Sequence, residues 1–128
     1  NSALLHIKRN NFFSFLKFFS IILKYHFMDI QEIQKKIATV SDNYAKHCSI
    51  NRDDDWYILK LQEEIGELVQ NYLSFTGRGR KREKTDEEIK TDFANELADV
   101  VGQVLLLAQH HNINIEEALE RKWFKYLK

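Results

Sequence analysis

The chain has 128 residues, 44% hydrophobic and 30% charged, with no proline, four glycines and one cysteine. That length accommodates one domain with one modest core and excludes two independent ones, and so few turn-forming residues disfavour a β architecture, making all-α the expected class. A formal net charge of zero combines +4 over residues 1–27, from Lys8, Arg9, Lys17 and Lys24, with −4 over the remainder, from 15 basic and 19 acidic residues, a balance that argues against gripping nucleic acid through the overall field.

Residues 12–27, FFSFLKFFSIILKYHF, are apolar and aromatic. Lys17 and Lys24 interrupt them far short of the ~20 residues that span a bilayer, so no membrane span is expected. The basic-then-apolar order is that of a signal peptide, yet no small-residue cleavage site follows. Met28 opens a clean helical pattern. Residues 1–27 are therefore read as an N-terminal extension, upstream sequence or poorly packed, and 28–128 as the domain.

Four helices are predicted from there, each opened by a cap residue and an acidic first turn. The first runs from about Asp29 to Lys46, with Asp29 and Glu32 at capping-box spacing and Ile30, Ile33, Ile37, Val40 and Tyr44 as its apolar stripe. Cys48, just beyond it, can make no internal disulfide and has no second cysteine at metal-ligand spacing, which fits a reducing, cytoplasmic setting.

The second helix starts near Trp56, after Asp53, Asp54 and Asp55, with Ile58, Leu61, Ile65, Leu68 and Tyr72 as its stripe. Gly77 and Gly79 stop it and open the basic loop RGRKREK at 78–84. Thr85 and Glu88 make the capping box of the third, whose stripe is Ile89, Phe93, Leu97, Val100, Val104 and Leu107 and which ends at HHN, 110–112. The fourth runs from Asn114, capped with Glu117, to about Leu127, offering Ile115, Ala118, Leu119 and Trp123 for packing.

Carboxylates carry the chemistry. Glu64 and Glu67 are three residues apart on the second helix and share a face, with Glu63 beside them; Glu96 and Asp99 repeat that spacing on the third, flanked by Asp92 and Gln103. An antiparallel hairpin would bring the two pairs to one gap. Hard oxygen donors in such a cluster suit Mg²⁺ or Mn²⁺, ions that also bind phosphate oxygens. Acidic pairs at this spacing also occur on ordinary solvated faces. Here, however, no lysine or arginine falls between Thr91 and Glu120, leaving Asp92, Glu96 and Asp99 without a cation three or four residues away. Gly66 and Gly102, each within three residues of a carboxylate pair, suggest close helix approach.

The motif EEIGE at 63–67, 28 intervening residues, and ELAD at 96–99 resembles the EExxE and ExxD signature of the MazG-like nucleoside triphosphate pyrophosphohydrolases, in the all-α NTP pyrophosphatase superfamily. KLQEEIGEL at 60–68 and ELADVVGQVLLLA at 96–108 are similar to that family's two central helices, and NINIEEAL at 112–119 to the start of its last. The likeness covers roughly Asp29 to Leu127. It implies a four-helix MazG-like bundle, a homodimer or homotetramer, that uses Mg²⁺, or Mn²⁺ in its stead, to split a nucleoside triphosphate into monophosphate and pyrophosphate. By position, Glu64, Glu67, Glu96 and Asp99 would be metal ligands and Glu63 a ligand or the base that activates water. Lys122 is a loose match to a nucleotide-holding position.

Lys60, one turn before Glu64, is a candidate phosphate contact or a salt-bridge partner of the glutamates, and Trp56 a candidate for stacking on a base or for core packing. The loop 78–84 reads as a solvated charged turn and His110 and His111 as a helix end. Narrower roles within the resemblance are a dUTP or phosphoribosyl-ATP hydrolase; outside it stands a helical interaction module without turnover.

Overall fold

The computed structural model describes residues 28–80 and 83–127. Among them there are four α-helices and no strand: α1 (Ile30–His47), α2 (Asp54–Phe75), α3 (Asp86–His110) and α4 (Ile115–Lys122), followed by a 3₁₀ turn at Phe124–Tyr126. The N-terminal extension lies outside the described residues. No helix among them is long and apolar enough to cross a membrane.

Each helix starts where a side chain satisfies backbone donors that the first turn leaves free. Asp29 accepts from the Glu32 amide, Asp53 from the Trp56 amide and Asn114 from the amides of Glu116 and Glu117. At α3 the capping box is complete, with Thr85 accepting from the Glu88 amide while the Glu88 carboxylate accepts from the Thr85 amide. Asp53 as the cap starts α2 at Asp54, two residues before the predicted Trp56. The last helix is shorter than expected, because the chain tightens into the 3₁₀ turn after Trp123.

The turn after α2 depends on its glycines. Gly77 takes φ +69°, in the left-handed region, and a Cβ on Gly79 would lie 2.9 Å from the Ser74 amide nitrogen. A side chain at either position would be strained or obstructed. The chain then returns along α2, so that Asp54 at the start of α2 meets His110 at the end of α3, and Phe75 at the end of α2 stacks on Phe93. The pair α2–α3 is thus an antiparallel hairpin, with α1 packed across α3.

Ala38, Tyr57 and Leu106 form the central cluster, with Ile37, Trp56 and Leu107 against it. Gln34 donates to the Leu105 carbonyl at 2.9 Å, tying α1 to α3, and Gln31 reaches Glu116 on α4. The apolar stripes extend beyond what this packing covers. On α2 the buried residues are Tyr57 and Glu64, while Ile58, Ile65 and Tyr72 of the predicted stripe are exposed. The helix has apolar side chains over more than half its circumference, and α3 covers only one arc of it. Tyr57 holds that arc by stacking on His110 and meeting Trp56 edge-on.

Candidate metal site

Antiparallel packing brings the acidic pairs of α2 and α3 to one gap. One carboxylate oxygen each from Glu64, Glu96 and Asp99 lies within 4.8 Å of the others. Glu64 is the buried charged residue among those described. Buried carboxylates need partners, and Lys60 supplies one: its Nζ lies 2.9 Å from Glu64 Oε1 and 2.8 Å from Glu63 Oε2. Burial of the Lys60 ammonium opposes its charge, but the two glutamates outweigh this and raise its pKa.

Glu96 is differently placed. Asn71 of α2 donates to its Oε1 at 3.0 Å, while its Oε2 is buried without a hydrogen-bond partner, as is Oε1 of nearby Gln103. Desolvation raises the Glu96 pKa first, and the charges of Glu67, Asp99, Glu64 and Asp92 add to it. A carboxylate so crowded and incompletely paired is one that a nearby cation would stabilise in its ionised form. The donor set is hard oxygen throughout, and Glu96 keeps one buried carboxylate oxygen without a hydrogen-bond partner, so these side chains fit a small divalent ion.

Beside the cluster is a cleft of ≈ 680 Å³ between α1, α2 and α3, lined by Glu64, Glu67, Asp99, Lys60, Trp56 and Lys36 among others. A volume of this order suits a small-molecule ligand. Glu67 is exposed on the cleft wall, outside the close trio yet near enough to be the strongest acidic influence on Glu96. Glu63 is also outside the trio, turned to Lys60 on the outer surface. Lys122 is exposed near the end of α4 and does not line the cleft.

Two sequence expectations need correction. Asp92 is not without a cation, because the loop returns Lys84 to pair with it, a contact between residues eight apart that local spacing cannot reveal. Gly66 meets no neighbour, since a Cβ there would touch nothing within 4 Å; Gly102 is buried, and a Cβ on it would lie 3.8 Å from Ile37 Cγ2. Asn71 was missed, although it stands seven residues after Glu64 and four after Glu67 and therefore shares their side of α2. Lys36 was missed because nothing on α1 announces which face meets the carboxylates.

The helices thus form an all-α frame that brings three carboxylates together beside a cleft. No protein-family model, curated protein or solved structure matches this chain.

Proposed function

We propose that this chain is a Mg²⁺-dependent, or Mn²⁺-dependent, nucleoside triphosphate pyrophosphohydrolase that clears unwanted nucleotides. The observation that carries the reading is the convergence of Glu64, Glu96 and Asp99 to within 4.8 Å at a cleft large enough for a nucleotide. The same residues supply the EExxE and ExxD motifs on which the family resemblance rests.

Glu64, Glu96 and Asp99 would hold the ion, with Glu67 available from the cleft wall. A bound divalent ion would neutralise charge on the phosphate oxygens and lower the pKa of water. The chain's own groups do the rest. Lys60, shared between Glu63 and Glu64, offers its ammonium to a phosphate at the cleft and keeps Glu63 oriented. The proton of the attacking water passes to a carboxylate, a role the resemblance gives to Glu63, which has to turn from Lys60 toward the cleft to take it; the water oxygen bonds to the α-phosphorus as the bond to the β-phosphate bridging oxygen breaks and pyrophosphate leaves. Trp56 offers an apolar ring surface to the base.

The test is a panel of nucleoside triphosphates incubated with and without Mg²⁺, scoring monophosphate and pyrophosphate together. The expected result is their equimolar release from at least one nucleotide, dependent on metal and lost in Asp99→Asn. Release of orthophosphate alone, or no turnover across the panel, would refute it and leave a binding module.

A further inference from the structure

Two of the three clustered carboxylates have one oxygen already engaged. Lys60 Nζ lies 2.9 Å from Glu64 Oε1, and the Asn71 amide donates across the hairpin to Glu96 Oε1 at 3.0 Å. Asn71 follows Glu67 by one turn and so shares the carboxylate side of α2. Its Nδ2 also donates to the Glu67 carbonyl at 3.2 Å. A backbone carbonyl can only accept, which fixes the amide with its nitrogen toward both oxygens. With Oε1 held in this way, Glu96 keeps Oε2, which is buried and has no hydrogen-bond partner. Asparagine is a poorer helix former than leucine or alanine, so α2 itself gives no reason for one at this position.

We infer that Asn71 is a positioning residue that makes Glu96 a one-oxygen ligand and thereby sets which divalent ion the trio prefers. The inference rests on the reading of the trio as an ion site and not on turnover of any nucleotide. Mg²⁺ demands near-octahedral geometry and keeps several waters, and Mn²⁺ suits the same hard oxygen donors. Carboxylates that each give a single oxygen leave room for those waters. Ca²⁺ is larger, takes roughly six to eight oxygens and gains some of them from carboxylates that grip with both. Glu96 can complete such a grip only by breaking its bond to Asn71. Lys60 restrains Glu64 in the same sense, but its ammonium rides on a flexible four-carbon stem and yields easily. The Asn71 amide is carried on a short side chain and anchored to the helix backbone, which makes it the stiffer restraint.

Isothermal titration of Mn²⁺, Mg²⁺ and Ca²⁺ into the full chain, Asn71→Leu and Asn71→Ala, without nucleotide and with circular dichroism on each, tests this. The wild type is expected to bind Mn²⁺ and Mg²⁺ more tightly than Ca²⁺. Both substitutions improve helix propensity, so the helical signal should persist. Each should shrink the Mn²⁺-to-Ca²⁺ affinity ratio by at least ~10-fold, weakening Mn²⁺ while Ca²⁺ holds or gains. Leucine keeps the bulk of the side chain and alanine removes it, so a change common to both belongs to the lost amide. Either variant alone decides if the other fails to fold. A merely structural asparagine would lower all three affinities together. That result, an unmoved ratio, or a wild type that prefers Ca²⁺ overturns the inference. A wild type that binds none of the three ions refutes the ion site and this role with it, whereas binding with an unmoved ratio refutes the role of Asn71 alone.

Discussion

Glu96 concentrates the electrostatic problem of this protein in one side chain. Desolvation and four neighbouring acids hold its pKa above the ordinary 4.5, so the folded chain disfavours its ionised form. Stability of the metal-free protein should therefore fall as pH rises from 4.5 through the raised value, with the whole penalty present once pH exceeds that value. Glu96→Gln removes the penalty. Calorimetry in a chelator should show this variant melting higher than wild type at pH 7 and with a flatter pH dependence; an equal or lower melting temperature would contradict the repulsion. Lys60 has the opposite role, because it is the cation that pairs with buried Glu64. Lys60→Met should cost about 1–3 kcal/mol in urea unfolding without metal, since it leaves a buried carboxylate unpaired, and saturating Mg²⁺ should recover part of that loss.

At the scale of the helix, caps decide where each element begins. Thr85 and Glu88 satisfy each other's backbone amides at the start of α3, the helix that carries two of the three clustered carboxylates. Thr85→Ala should destabilise the fold by about 1 kcal/mol. Hydrogen bonds from the Thr85 backbone and hydroxyl hold Glu88 below its ordinary pKa of 4.5. Its contribution is complete above 4.5 and fades as pH falls through the lowered value. Stability of wild type and Glu88→Gln should converge under acid, which urea titrations at neutral pH and below pH 4 would reveal. These signals were legible in sequence because a cap and its partner are three residues apart. So were the carboxylate pairs, whose spacing puts them on one face whatever the tertiary fold. The buried arc of α2 was not, because apolar residues surround most of that helix and only its packing partner decides between Tyr57 and Ile58. Lys84 with Asp92 and Asn71 with Glu96 were likewise hidden, since both depend on how the loop closes the hairpin.

Viewed as a whole, the molecule carries two chemically different surfaces on the α2–α3 hairpin. One side is a cluster of acids with an orphaned oxygen, and the other is an apolar flank. Binding of an ion to the folded state alone adds RT ln(1 + [L]/Kd), about 2.7 kcal/mol at a hundred times Kd. The neutral substitutions Glu64→Gln, Glu67→Gln and Asp99→Asn should each weaken that linkage while leaving the helices in place, because none removes a core apolar side chain. The loss should be greatest for Glu64 and Asp99, which belong to the trio, and smaller for Glu67 on the cleft wall. Isothermal titration of Mn²⁺ into each variant would order them.

Thermal melting of the wild-type chain and Glu96→Gln in a chelator, in millimolar Mg²⁺ and in millimolar Mn²⁺, each with and without a nucleoside triphosphate, tests the carboxylate site most directly. The account predicts that either ion raises the wild-type melting temperature, that nucleotide raises it further, and that Glu96→Gln starts higher and gains less. A wild-type melting temperature unmoved by both ions, with and without nucleotide, would contradict it and leave the acids of α2 and α3 as a solvated surface.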